Sequence, residues 1–250
     1  LIVSVSCSDR PDGIRPHPYP YLDPVPPATV NDAFALEGQT YLVCQREGHR
    51  FLAGVEEVSA VLFSEFLNNI RYADTIEPVT VDMGIHQYVL TGVKVPESLV
   101  TNIYIIDYAA ANPVRIDSQY VARDRKGSRA AEDVTTYGAL AFCKWYSNRT
   151  GISWRLPTST EWLSVALTGH PSLRGMPGGP LEWCAETVMF GQHEKRAVMG
   201  GEWHMRKTMT ALGIAYTLPG LRGLHEQPVG FRLFANIPTN LVLNLPNAQK

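Results

Sequence analysis

Closely spaced cysteine motifs, a basic surplus and a long apolar run are all missing from this sequence, and each absence removes a class of function. The four cysteines, Cys7, Cys44, Cys143 and Cys184, fall into no C-x-x-C and no metal-finger spacing. They leave the redox compartment and any disulfide pairing open, although Cys143 and Cys184 both occupy positions expected in a core. With 22 Lys and Arg against 24 Asp and Glu, the net charge is -2. That balance gives nothing to neutralise a phosphate backbone, so nucleic acid is not an expected partner. No apolar run approaches the roughly 20 residues that a helical membrane span needs, so no transmembrane segment is expected. There is also no internal repeat and no compositional bias towards disorder, and 250 residues are enough to bury a full core.

What is present is divided unevenly. The chain opens on "LIVSVSCSDRPDG", an apolar stub ending in Ser6-Cys7. This resembles the tail of a lipoprotein signal with Cys7 as the acylated residue, although Ser4 stands where Leu is usual. The other reading is a mature N-terminus whose first residues form a short edge strand. Export to the bacterial periplasm or attachment to the outer membrane is the expectation. Pro11, Pro16, Pro18, Pro20, Pro24, Pro26 and Pro27 follow. Proline at that density removes amide donors and fixes φ, so neither helix nor central strand persists. Residues 1–35 are therefore read as an extension, an arm that Tyr19 and Tyr21 equip to wrap the body. The body itself is placed at 36–238, with a Pro-interrupted tail at 239–250.

Within the body, 40–45 and 49–58 read as strands joined at Glu47-Gly48, and Ser59 caps a helix carrying Val61, Leu62, Phe63, Phe66, Leu67 and Ile70 at mixed three- and four-residue spacings. The run 102–110 reads as a strand and 122–130 as a charged loop. A second helix is predicted from about Val134 to Asn148, capped by Asp133 or Thr135, with Gly151 beyond its end. In "WRLPTSTEW" (154–162), Thr158 and Glu161 form a capping box and start a third helix, which ends by Gly169. Only short strands and glycine turns are expected after it. Few helices, many loops and no alternating βαβ units imply a mixed α+β fold.

Taken together, these segments resemble the formylglycine-generating enzyme family, also called the sulfatase-modifying-factor domain, a variant of the C-type lectin fold. The resemblance rests on "VEEVSAVLFSEFLNN" (55–69), "DVTTYGALAFCKWYSNRTGISWRLPTSTEWLSVAL" (133–167), "GGPLEWC" (178–184), "VMGGEWH" (198–204) and "VGFRLF" (229–234). These run in order over about residues 40 to 235. It implies a C-type-lectin-like α+β fold, with Glu161, Trp162, Trp183, Trp203 and Arg232 as residues of the scaffold.

The same resemblance implies an oxidase that binds copper through two cysteines shortly before the closing GFR, since a soft thiolate selects Cu(I). Here residues 200–232 contain no cysteine. The matching positions fall on about Met205 and Thr210, and a thioether forms neither a disulfide nor a thiyl. The chain is therefore expected to be a pseudoenzyme with no catalytic residues and no required cofactor. An iron-dependent branch draws its histidines from a further helical domain for which this chain has no room. Calcium is the one metal expectation, at Glu182 beside Gly178; Gly175 and Gly179 replace the family's asparagines there. Glu202, Trp203, His204, Arg206, Arg222 and His225 are the candidate partner- or ligand-binding residues, their alternative reading being a polar surface loop.

The resulting expectation is a non-catalytic binding or regulatory protein of the bacterial envelope. Family relatives of that kind include a periplasmic regulator promoting activation of a type VI secretion kinase. They imply an envelope protein partner, a lipoprotein or the sensor part of a membrane kinase, contacted through the arm or around Trp203 and His204. Two other readings stand beside it. One is a metal-dependent enzyme of altered chemistry, a siderophore- or sulfur-modifying oxidase using His204 and Met205. The other is a lectin-like display protein, disfavoured by the tail "ANIPTNLVLNLPNAQK".

Overall fold

A computed structural model describes residues 25–70, 76–82, 87–93, 114–116, 119–122, 129–132, 134–176, 179–190, 193–200, 215–217, 223–224 and 227–237. Two five-stranded sheets and three helices make up most of the described chain. The first sheet begins with a meander: β1 (Thr29–Leu36), β2 (Gln39–Arg46) and β3 (His49–Gly54). Both hairpins turn on a Glu-Gly pair with positive φ, at 48° and 76° for Glu37-Gly38 and 49° and 80° for Glu47-Gly48. Two residues with φ above zero match the right-handed twist of the flanking strands, which is why so short a loop suffices. β1 pairs with β2 from Thr29 onward, so regular pairing begins ahead of residue 36. Ahead of it the Ala28 amide donates to the Ser164 carbonyl, laying the end of the arm on the third helix. Tyr19 and Tyr21, expected to anchor the arm, lie outside the described residues.

Each helix starts where a side-chain oxygen is available to accept an otherwise unpaired amide. Ser59 caps α1 (Ala60–Asn69) by accepting from the Leu62 amide. Thr135 caps α2 (Thr136–Thr150), deciding between the two predicted caps; Asp133 lies outside the described residues. Gly151 ends α2 in the left-handed conformation at φ 74°. Two strand pairs lie between these helices in sequence: β4 (Ile76–Asp82) with β5 (Gln87–Val93), and β6 (Val114–Ile116) with β7 (Gln119–Val121). The strand predicted at 102–110 lies outside the described residues. β8 (Trp154–Arg155) closes one edge of the first sheet, and the Thr158–Glu161 capping box opens α3 (Ser159–Ala166) as predicted.

The second sheet departs from the expectation of short strands. β9 (Leu181–Phe190) and β10 (His193–Gly200) form a long antiparallel hairpin with a register shift between Arg196 and Val198. β11 (Ala215–Thr217) pairs with β10, while β12 (Gly223–Leu224) pairs with β13 (Gln227–Gly230), which runs parallel to β9. Leu181, Glu182, Trp183 and Cys184 are all buried, so the start of β9 is covered on both faces and shows no polar alternation in sequence. β14 (Phe234–Asn236) then crosses to the first sheet and lies between β3 and β8.

Alternation along β2 divides the core. Tyr41 and Val43 join Phe63, Phe66, Phe142, Tyr146 and Phe231 in the main cluster, whereas Leu42 and Cys44 meet Val165 of α3 on the opposite face. A third cluster joins Trp162 and Leu163 of α3 to Cys184, Ala197 and Met199 of the second sheet. Helix α3 is therefore the wedge between the two sheets. Phe142 is the centre of the aromatic packing, with ring centroids 5.4 Å from Phe231, 5.5 Å from Phe66 and 5.8 Å from Phe63. Phe142→Ala removes contacts to both sheets' supports at once. An unfolding free energy lower by about 3–5 kcal/mol is expected in a denaturant titration.

Candidate functional site

Residues 231–233 connect β13 to β14, and they carry Arg232 into the space between the two sheets. Nothing of this side chain is exposed. A guanidinium has five N–H donors and no way to lose its charge, so burial requires an acceptor for each. All five are met. Nε donates to Glu182 Oε2 at 3.0 Å and Nη2 to Glu182 Oε1 at 2.7 Å, a bidentate pair. Nη1 donates to the Gly54 carbonyl at 3.0 Å and the Val55 carbonyl at 2.6 Å, and Nη2 also to the Arg174 carbonyl at 2.8 Å. The end of β3, the loop after α3 and the start of β9 are thus held by one side chain. Burial pulls the Arg232 pKa down, but the Glu182 carboxylate, with Glu57 and Glu56, more than offsets it and leaves it above its ordinary value.

Glu182 completes the junction from the other side. Its side chain is fully buried, and Oε2 accepts a third bond from Trp162 Nε1 at 2.8 Å. The calcium expected here meets a carboxylate already neutralised and bonded on both oxygens. The two glycines that replace the family's asparagines have a packing reason. A Cβ on Gly179 would stand 2.8 Å from both Cα and the carbonyl oxygen of Gly175, so the Gly175 backbone leaves no room for a side chain at 179. Gly175 itself sits at φ 71°. Trp183, next along β9, points to the opposite face and donates to the Val134 carbonyl at 2.7 Å.

Glu57 is the residue that pattern reading missed. It lies on the segment between β3 and α1 with 9% of its surface exposed, and its Oε1 has no hydrogen-bond partner. A Cβ on Gly230 would meet that oxygen at 2.8 Å and the Ala131 carbonyl at 3.0 Å, so only glycine lets the acid fit. Burial pushes the Glu57 carboxyl well above its usual range, with Glu182 and Glu132 adding to the shift and Arg232 opposing it. Two adjacent glutamates, Glu56 and Glu57, differ here only in the direction that the backbone sends them, which composition does not reveal.

A shallower feature lies at the start of α3. Arg155 forms a bidentate pair with Glu161, at 2.7 Å on both oxygens, while the Thr158 amide donates to Glu161 Oε2 at 2.8 Å. A groove of about 390 Å³ opens beside it, between Gly48–Phe51, Glu161 and Asn236–Ile237. Burial would raise the Glu161 pKa, but Arg155 and the Thr158 amide bring it below the ordinary value. Glu161 and Trp162 serve the scaffold, as do Trp183 and Arg232.

The described cysteines are distributed among the three core clusters: Cys143 in the main one, Cys44 against Val165, and Cys184 against Trp162. All three are free and buried. Burial pushes the Cys44 and Cys143 thiols up to about 12, and raises Cys184 as well, with Glu186 and Glu182 contributing. Such thiols hold no thiolate at neutral pH and pack as small apolar groups. Glu202, Trp203, His204, Arg206, Arg222 and His225, and Cys7 with them, lie outside the described residues. Among the described residues no group of three or more His, Cys, Asp or Glu side chains is placed to hold a metal ion, and no helix is long and apolar enough to cross a membrane.

Comparison with known proteins adds a family and a structural likeness. A family model described as the sulfatase-modifying factor enzyme 1-like domain, FGE-sulfatase, matches residues 43–174, more than half of the 250-residue chain. The structure of PvdO from Pseudomonas aeruginosa is similar at 12% sequence identity and a TM-score of 0.48, over 84% of this chain and 92% of that one. No match was found among curated protein sequences. If the Arg232–Glu182 junction supports the scaffold as its bonding indicates, Arg232→Met leaves a buried carboxylate unpaired. It should cost about 3–5 kcal/mol in urea unfolding. Adding Glu182→Met should recover part of that loss, and strict additivity of the two changes would contradict the pairing.

Proposed function

The chain belongs to the sulfatase-modifying factor enzyme 1-like domain family, and from that premise we propose that it is a non-catalytic member that binds a protein partner in the bacterial envelope. The observation that carries this reading is the distribution of its thiols. The family's oxidase chemistry needs two cysteines side by side to hold copper, and residues 200–232 supply none. Cys44, Cys143 and Cys184 sit in three separate clusters and are buried as thiols, so they do not fit as the copper pair. No step through copper is therefore derived for this chain.

The buried polar groups support the same reading. Arg232, Glu182, Trp162 and Trp183 are spent on one another and on backbone carbonyls, and so serve to hold loops in place. On a scaffold held in this way recognition falls to surface loops. The fold in its finer detail is of the C-type-lectin-like kind. Glu202, Trp203, His204, Arg206, Arg222 and His225 are the residues proposed to meet the partner, and neither copper nor calcium is required for it. The apolar run before Ser6-Cys7 supports a periplasmic or outer-membrane-associated location. In its narrowest form the proposal is a regulator resembling TagR, which promotes activation of a type VI secretion kinase, with a lipoprotein or a kinase sensor domain as partner.

The test is cross-linking of the full chain in an envelope extract, comparing wild type with Trp203→Ala/His204→Ala and with a deletion of residues 11–24. One envelope protein captured by wild type and reduced at least about tenfold by one of the changes is the expected result, tenfold being the loss from removing about 1.4 kcal/mol of contact. Capture of nothing by wild type, or capture unaffected by both changes, would count against the proposal.

A further inference from the structure

Three chain segments meet around Glu57 and are laced by backbone hydrogen bonds. The Val58 amide donates to the Phe231 carbonyl, Ala131 to Val58, Ala60 to Arg129 and Val134 to Val229. The approach to α1, the 129–134 segment leading to α2, and the β13–β14 connection are therefore one seam. Beneath it lie two buried carboxylates, Glu57 and Glu182, and one guanidinium. Arg232 has no donor left over: both of its bonds to side chains go to Glu182, and the other three go to carbonyls. Glu57 Oε1 is consequently buried with no donor to satisfy it. An ionised carboxylate with such an oxygen carries the full cost of desolvation, which a bound proton removes. On the same side of Gly230 as Oε1 stands the Ala131 carbonyl oxygen, an acceptor for that proton.

We infer that Glu57 is a proton-held latch: its neutral acid donates from Oε1 to the Ala131 carbonyl across Gly230, and loss of the proton to solvent opens the seam. The charged groups around it act in a consistent direction. Glu182 on β9 and Glu132 on the 129–134 segment repel the ionised form, and Arg232 favours it without bonding to it. Arg174, on the loop after α3, donates to the Pro171 and Leu173 carbonyls, and Arg129 is exposed. The latch adds to the proposed function without depending on it. β13, which the seam holds through Val229, follows directly in sequence on the candidate binding residues 202–225.

Because the native carboxyl binds its proton more tightly than the unfolded one, its contribution is complete below the unfolded glutamate pKa of about 4.3. It is lost as pH rises through the native value. Urea unfolding of the full chain and of Glu57→Gln, between about pH 5 and pH 8, isolates this one proton. Within that window the unfolding constant of wild type should rise relative to the variant by about tenfold per pH unit, until the native pKa is passed. A ratio that does not change with pH would overturn the inference. If Glu57→Gln does not fold, infrared spectroscopy of wild type decides. A carboxylic-acid carbonyl band present at neutral pH and lost at alkaline pH supports the latch, and no such band at neutral pH contradicts it. Hydrogen exchange reads the opening itself. The Ala131 and Val134 amides should lose protection over the same pH range, beyond the intrinsic rise in exchange rate, and unchanged protection would refute the latch.

Discussion

One buried cation sets the terms for the rest of this structure. Arg232 cannot be neutralised and cannot be left without acceptors, so five oxygens must be brought to it from distant parts of the chain. Those oxygens come from the end of β3, the loop after α3 and the first turn of β9. Between them they place the two sheets and the α3 wedge. The glycines follow from the same demand. Gly175 and Gly179 touch backbone to backbone so that the Arg174 carbonyl reaches the guanidinium, and Gly230 leaves room for Glu57. A charge pair of this kind need not stabilise more than apolar packing would. Its contribution is to specify one arrangement of loops that have little regular structure of their own.

What sequence reading reached was local. Ser59, Thr135, Thr158 and Gly151 announce helix ends because the groups they satisfy lie within four residues. The turn at Glu47-Gly48 was legible for the same reason. The identical signal at Glu37-Gly38 follows residues placed in the extension, and it is pairing with β2 that makes 29–36 a strand. The start of β9 lacks alternation because Leu181 to Cys184 are buried on both faces, and it carries a glutamate, Glu182, as its second residue. The pairing of Glu182 is not legible locally, because Arg232 stands fifty residues later. Glu57 had no local signal, as only the fold distinguishes it from Glu56. The partner-binding residues proposed from sequence belong to the 202–225 stretch, outside what the structure describes.

Separating scaffold from chemistry changes how the motifs of this family are read. The residues that make the resemblance recognisable, Glu161, Trp162, Trp183 and Arg232, are those most fully committed to holding the fold together. Their retention therefore carries information about architecture and little about turnover. Among the described residues the three thiols, Cys44, Cys143 and Cys184, pack in separate clusters.

We propose that this chain keeps the family scaffold without the family's metal chemistry. Thermal unfolding of the chelator-treated full chain, with and without added Ca²⁺ and, anaerobically, Cu⁺, tests it most directly. A site occupied at a hundredfold excess over its Kd would add about 2.7 kcal/mol to stability. The account predicts no change in midpoint with either ion. A saturable rise with Ca²⁺ or with Cu⁺ would contradict it.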